Sequence, residues 1–396
     1  MMQISPETQL FIREHSSDDV RVLALQAKKY PDIDMPTAIT QIAGRKVAAE
    51  KIPSWWEIEK IWYPKHLSLE QCSSEITARY KARLLQGDSL TDLTGGFGID
   101  CSFLATGFKS ATYVERQEEL CEIAAHNFPV LNLNHINIKN EDGVTYLQVM
   151  SPVDCLFLDP ARRNEHGGKT VAISDCEPNV AELEELLLQK ANRVMIKLSP
   201  MLDLSLALKE LKQTQEVHIL SVNNECKELL ILLGQTSPAE ISIHCVNLFT
   251  KGTQKEQHFG FTREQEQCSE CTYTDSLETY LYEPNASLLK AGAFRSIAAA
   301  YPVRKLHPNS HLYTSDTFIE NFPGRIFRIV NQCSFNKKEV KENLADLKKA
   351  NVTVRNFPAT VAELRKRIHL AEGGDTYLFA STLNNGQKVL IRCEKV

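Results

Sequence analysis

Apolar positions change their spacing several times along this chain. In residues 18–29 (DDVRVLALQAKK), Val20, Leu23 and Ala27 stand three and four apart, the spacing of one helical face. Asp34-Met35-Pro36 supplies a cap and an early proline for a second helix through ITQIAGRKVAAEK. Pro53-Ser54-Trp55-Trp56 opens a third. From about residue 88 short apolar runs alternate with helical stretches. SLTDLTG, ATYVERQ, INIKN, VDCLFLDPARR, NRVMIKLSP and EVHILSV predict strands, and 99–107, 117–127, 177–191 and 203–212 predict helices between them. Such alternation argues a parallel sheet with helices on both faces. ECKELLILLG, ISIHCVNLF and EQHFGFT follow with no helix-length segment between them, and predict antiparallel strands closing the sheet edge. After Thr272 the pattern predicts a helix from about Asn285 to Ala300 and a strand GRIFRIV. Then come an amphipathic helix KKEVKENLADLKKA, a strand VTVRNF and a helix VAELRKRIHL. DTYLFAST and QKVLIRCEK form a terminal hairpin through Asn384-Asn385-Gly386.

The expected organisation is therefore a helical domain over 1–70, an α/β domain over 71–272, a small segment over 273–320 and an α+β domain over 321–396. Trp55, Trp56 and Trp62 are all the tryptophans. They are expected to pack the helical layer onto the sheet rather than to stack on a base.

Composition excludes several classes. At 396 residues with 43% hydrophobic and 24% charged positions, the chain is an ordinary globular one of two or three domains. No apolar run approaches the roughly 18–20 residues that cross a bilayer. The first residues lack a basic region followed by an apolar core, so a cytoplasmic location without membrane contact is expected. Eleven scattered cysteines read as reduced thiols. Cys268 and Cys271 offer two ligands where a zinc site wants four. His244 and Cys245 would complete one in principle, but plain loop cysteines are the simpler reading, and no metal is expected. Residues 276–396 hold 18 Lys/Arg against 11 Asp/Glu, while the whole chain carries −5. A basic carboxyl-terminal third on an acidic body points to a polyanionic partner, or to a merely solvated surface.

The sharpest motif is Thr91-Asp92-Leu93-Thr94-Gly95-Gly96-Phe97-Gly98-Ile99-Asp100, where the first strand becomes a helix. Open parallel sheets bind ligands at the carboxyl ends of their strands, and a helix start adds N–H donors. Glu115 closes the second strand, where an acid can grip ribose hydroxyls. A dinucleotide fingerprint needs G-x-G-x-x-G/A, but Cys101 stands at its third position.

The pattern is more similar to that of class I S-adenosylmethionine-dependent methyltransferases, Asp-x-Gly-x-Gly-x-Gly, with Thr94 at the first glycine. The resemblance implies a Rossmann-like α/β sheet and cofactor contacts at Asp92, Thr94, Gly95, Gly96, Gly98 and Glu115, with Arg116 beside the last. An acid after the next strand would meet the adenine amine; Asp142 is the choice, with Glu141 close behind, and a plain turn is the competing reading. Upstream, Ser73 and Ser74 would reach the methionine end or simply cap a helix. Leu158-Asp159-Pro160-Ala161-Arg162-Arg163 follows the fourth strand, where amino-methyltransferases carry Asp/Asn-Pro-Pro-aromatic. Asp159 and Pro160 would orient the acceptor atom, with Arg162 and Arg163 toward the substrate. The same string resembles a loop of uracil-5-methyltransferases, but Lys197-Leu198-Ser199-Pro200 holds no cysteine, which favours transfer to nitrogen. Lys197 and Asn223 are further substrate candidates.

Over residues 70 to about 380, SSEITARYKA, DLTGGFGID, LDPARR, IKLSPMLD, ECKEL, YEPNASLLKAG, FPGR and VRNFP resemble bacterial class I methyltransferases carrying a THUMP-like carboxyl-terminal domain. A ferredoxin-like piece accompanies that domain over about 276–320. The resemblance implies an enzyme that methylates RNA, tRNA or rRNA, with Arg325 and Arg355 among the basic residues of an RNA platform. Lys290, Arg295, Arg304, Lys305 and Arg328 complete that set. Two alternatives stay open: transfer to a protein or small molecule, and a binding module without catalysis.

Overall fold

The computed structural model describes residues 4–162, 172–236 and 238–396. It divides into two compact units, Met1–Gln215 with Leu229–Pro238, and Glu216–Glu228 with Ala239–Val396.

The first unit begins with helices α1 (Pro6–Glu14), α2 (Val20–Leu25) and α3 (Met35–Lys51). Ser5, Asp19 and Asp34 cap them by accepting N–H bonds from Thr8, Arg21 and Thr37. Phe11, Leu23, Met35, Ala38 and Ile42 form their common core. Then α4 (Pro53–Trp56), α5 (His66–Gln71) and α6 (Glu75–Ala82) lead to the sheet. Ala48, Ile52, Trp55, Ile61 and Tyr63 are buried together with Phe97, Ile99, Leu120 and Ile123, so the helical layer and the sheet layer share one core. Trp55 meets Phe97 edge-on at 5.2 Å. Trp62 stacks on His126 at 3.8 Å, and its backbone exchanges two hydrogen bonds with the Asn127 amide. Trp56 is 42% exposed, so two of the three tryptophans do this packing.

The sheet alternates β1 (Ser89–Asp92), α7 (Ile99–Ala105), β2 (Ser110–Glu115), α8 (Glu118–Val130), β3 (Ile136–Asn140), α9 (Gly143–Val149) and β4 (Val153–Leu158). A short ribbon follows, β5 (Ala161–Arg162) with β6 (Cys176–Glu177). Then come α10 (Val180–Lys190), β7 (Ala191–Leu198), α11 (Leu204–Glu210), β8 (Thr214–Val222) and β9 (Glu225–Gly234). In space the first unit's strands run β3-β2-β1-β4-β7-β9. The first five pair in parallel and β9 pairs antiparallel to β7. The chain moves outward from β1 to β3 and then returns to the other side of β1. The switch point therefore falls between β1 and β4, where such sheets place their ligands.

In the second unit β10 (Ser242–Leu248) lies between β8 and β11 (Glu256–Thr262). β10 is antiparallel to β11 but parallel to β8, unlike the all-antiparallel edge expected. Closely spaced strands reveal short connections, not which strand becomes the neighbour; β10 pairs with the strand one removed in sequence.

After α12 (Arg263–Cys268) the unit adds β12 (Tyr280–Pro284), α13 (Ala286–Ala291), α14 (Ser296–Ala300), β13 (Arg304–Lys305), β14 (Tyr313–Ser315) and β15 (Gly324–Ser334). It ends with α15 (Lys337–Leu344), β16 (Lys349–Val354), α16 (Val361–Ile368), β17 (Ala371–Thr382) and β18 (Lys388–Lys395). Its second sheet runs β13-β14-β12-β15-β18-β17-β16. The helix expected over 285–300 is broken into α13 and α14, because Gly292 ends the first in a left-handed conformation. The 337–350 helix stops at Leu344, and its last residues begin β16 instead. Among the described residues no helix is long and apolar enough to cross a membrane.

Candidate active site

Three loops meet at the carboxyl ends of β1, β2 and β4. The loop after β1 turns through Gly96 (φ 54°) and Gly98 (φ 88°), conformations that favour glycine. Gly95 is required by packing, since a Cβ there would stand 2.2 Å from the Tyr113 ring. A Cβ on Gly96 would meet nothing nearer than the Thr94 carbonyl at 3.8 Å, so this side of the loop is open. The Gly96 N–H donates to Glu115 Oε2 at 2.9 Å, and the Gln117 N–H donates to Oε1 at 2.8 Å. Glu115 thus fixes the loop whatever else it holds.

Asp92 ends β1 and is 1% exposed. Its Oδ1 accepts the Thr94 N–H at 3.0 Å. Thr94, which replaces a glycine of the motif, accepts the Asp159 N–H on its hydroxyl at 2.6 Å. That side chain ties the loop after β1 to the loop after β4, a bond that glycine cannot make. Burial, with Asp100, Asp159 and Glu115 nearby, pushes the Asp92 carboxyl up to about 8.

Behind the loops a network joins the expected Ser73, Asp159 and Lys197 to two residues outside the expected site, Lys81 and Asp100. Lys81 of α6 is fully buried and donates to Ser73 Oγ at 2.9 Å. Ser73 donates to Asp100 Oδ2 at 2.6 Å, and Lys81 lies 3.0 Å from Asp100 Oδ1. Lys197, at the end of β7, reaches Asp159 Oδ2 at 2.5 Å and Asp100 at 3.5 Å. Against the cost of burial, the two ammonium groups hold Asp100 below its ordinary range. Desolvation raises Asp159 despite Lys197 beside it. Lys81 lies in SSEITARYKA and Asp100 in DLTGGFGID. The signal was a charged residue among the buried positions of a helix: Lys81 with Thr77, Ala78 and Tyr80 in α6, and Asp100 in the mostly apolar α7.

The other expected residues are placed as follows. Ser74 precedes α6, its hydroxyl 3.2 Å from that of Thr77. Asp142 caps α9, its Oδ1 accepting the Val144 and Thr145 N–H groups at 3.0 Å each. The Glu141 N–H donates to the Glu115 carbonyl. Arg116 pairs with Glu177 at 3.1 Å. Pro160 is buried beside Asp159, and Arg162 sits in β5 opposite Cys176. Arg163 lies outside the described residues. In the second unit Asn223 adopts a left-handed turn and donates to the Thr250 hydroxyl at 2.8 Å. Arg325 and Arg355 both engage Glu283, which is 2% exposed, with Arg355 at 3.1 Å. Arg304 pairs with Glu278 and Arg328 with Glu394. Lys305 is buried over Phe294 and Tyr313. Much of the expected basic platform is thus spent on internal pairing.

Asp100, Glu115 and Asp159 against two lysines leave a negative excess around an open glycine loop, and Asp92 adds to it when it ionises. A cationic ligand with hydroxyls fits that set. S-adenosylmethionine, with its sulfonium and ammonium groups, is such a ligand.

Two family profiles match the carboxyl-terminal part, a ferredoxin-like domain over residues 280–323 and a THUMP domain-like family over 324–395. Comparison with curated proteins returns no match. Among solved structures the chain is similar to a candidate methyltransferase from Porphyromonas gingivalis W83, with 34% identity, 100% of each chain covered and a TM-score of 0.88. More distant likenesses include an rRNA methylase from Streptococcus thermophilus (15% identity, 40% of this chain and 93% of that one, TM-score 0.29). Another is a candidate methyltransferase from Streptococcus mutans in complex with SAH (14% identity, 40% and 96%, TM-score 0.30). Full-length likeness to the Porphyromonas protein, on top of this loop chemistry, places the chain in the class I S-adenosylmethionine-dependent methyltransferases that carry a THUMP-like carboxyl-terminal domain.

Proposed function

We propose that the protein transfers a methyl group from S-adenosylmethionine to a nitrogen of an RNA base. The observation that carries this reading is the Asp159 carboxylate, half-exposed at the switch point and held by Lys197 at 2.5 Å. When bound, the cofactor supplies an electrophilic methyl group on a sulfonium. Asp92 would receive its ammonium, Glu115 its ribose hydroxyls, and Gly96 gives room for close approach.

The chain's own residues then do the positioning. Asp159 accepts a hydrogen bond from the acceptor N–H, which aims the nitrogen lone pair along the transfer line. Lys197 and the Thr94 hydroxyl fix the Asp159 side chain and backbone, so little reorganisation remains at the moment of reaction. As the N–C bond would form and the S–C bond break, with the sulfur keeping that electron pair, the nitrogen passes its proton to the Asp159 carboxylate, which burial makes more basic, so no further base is needed.

The THUMP-like unit supports an RNA substrate. Lys337, Lys338 and Lys341 on α15, Lys348 before β16 and Lys349 at its start, and Lys366 and Arg367 on α16 are exposed. Contacts from such residues to phosphates weaken steeply with salt. A second reading, transfer to a protein or small molecule, draws its support from Arg325 and Arg355, which are held by Glu283 rather than left for phosphate.

The test is labelled methyl transfer into fractionated extract from a strain lacking the protein, with Asp159→Ala as control. Label in RNA that the variant abolishes supports the proposal. Label confined to protein or small molecules overturns the substrate and leaves the cofactor site standing.

A further inference from the structure

One face of the β8-β10-β11 sheet carries a cluster that methyl transfer does not use. Glu216 and His218 are two apart on β8, so their side chains share a face. His244 on β10 is the direct cross-strand partner of His218. On β11 the partner of His244 is Gly260, and His258 lies two residues before it on the same face. Three imidazoles and one carboxylate are thereby gathered from three strands.

Their atoms are close. His218 Nε2 lies 3.3 Å from Glu216 Oε2, and His244 Nδ1 lies 3.2 Å from His258 Nε2. One ligand atom each from Glu216, His218 and His244 falls within 4.8 Å of the others. The rings of His218 and His244 are stacked at 4.5 Å, and those of His244 and His258 at 5.4 Å. In a tetrahedral site with metal–ligand bonds of about 2.0–2.1 Å, neighbouring ligand atoms are about 3.3 Å apart. Two of the six edges already match that spacing, and the others require the stacked rings to turn toward a common point. Gly260 leaves room, since even a Cβ there would stand 3.6 Å from His258 and 3.7 Å from His244. His218 is buried at the base of the cluster while His258 is exposed, so an ion has a solvent path to it.

We propose that Glu216, His218, His244 and His258 form a site for a divalent zinc-type cation that clips the three strands together. Imidazole and carboxylate donors without thiolate suit such an ion. Four protein ligands would close the coordination shell, which is the pattern of structural sites. The site differs from the Cys268, Cys271, His244 and Cys245 set weighed from the sequence. Cys245 follows His244 on β10 and turns to the opposite, buried face.

The test uses the full chain, stripped of metal and titrated with Zn2+ alone, against His218→Ala/His244→Ala and Cys268→Ser/Cys271→Ser. One equivalent bound at micromolar or tighter affinity, retained in the cysteine variant and lost in the histidine variant, supports the site. Absence of binding, or equal stoichiometry in all three proteins, overturns it. If the histidine variant does not fold, Co2+ is loaded into the wild-type chain. Tetrahedral d–d bands without a thiolate charge-transfer band support the site, whereas a thiolate band or an octahedral spectrum overturns it.

Discussion

Replacing Asp92 by Asn separates two consequences of one buried carboxyl. Asp92 is 1% exposed, and burial, with Asp100, Asp159 and Glu115 nearby, pushes its carboxyl up to about 8. The ordinary value is about 3.9. Because the folded value is the higher one, ionisation opposes the fold. The stability of the Asp92 environment is present in full below about pH 4 and is lost as pH rises toward 8. The slope is at most about 1.4 kcal/mol per pH unit, so between pH 5 and pH 7 the loss is about 3 kcal/mol. Asparagine keeps the shape and the acceptor for the Thr94 N–H but carries no charge. Apo Asp92→Asn is therefore expected to melt several degrees above the wild type at pH 7 and level with it below about pH 4. Cofactor binding runs the other way. The wild type must ionise Asp92 to meet an ammonium, so affinity should rise nearly tenfold from pH 6 to pH 7, while the variant stays weak and flat. Calorimetric melting and titration at these pH values read both effects. A melting difference that is independent of pH, or a variant whose affinity follows the wild-type profile, would refute the reasoning.

Other expectations follow from single contacts. Thr94→Val removes the acceptor for the Asp159 N–H, and turnover should fall at least tenfold with cofactor affinity changed less; equal losses in both would point to simple unfolding. Lys81→Met leaves Asp100 with one cation and should cost about 3–5 kcal/mol in denaturant unfolding. Lys81→Met/Asp100→Asn should recover part of that, because the uncompensated charge is gone. Trp55→Ala empties the core shared by the helical and sheet layers and should cost about 3–5 kcal/mol, with a loss under 1 kcal/mol contradicting that packing.

Much of this was legible before any coordinates. Alternating apolar runs and helical stretches gave the parallel sheet, because burial of both faces imposes that pattern. The glycine loop was legible because positive φ at Gly96 and Gly98 and close packing at Gly95 admit little else. Asp159 and Lys197 were legible as site residues, but their link to Lys81 and Asp100 was not, since these residues are far apart in sequence and meet only when α6, α7 and β7 converge. Arg325 and Arg355 illustrate the opposite failure. Sequence shows their charge, but not Glu283 on the neighbouring strand and its hold on both. The histidine cluster was invisible for a related reason, as β10 pairs with β8 across an intervening strand in the chain.

The central claim is met most directly by mapping the product. RNA from a strain lacking the protein would be incubated with the purified chain and S-adenosylmethionine carrying a deuterated methyl group, then digested to nucleosides and weighed by mass spectrometry. The account predicts one nucleoside with the heavy methyl on a base nitrogen, absent when Asp159→Ala replaces the wild type. Heavy methyl on ribose or on a base carbon, or label found in protein with none in RNA, would contradict it.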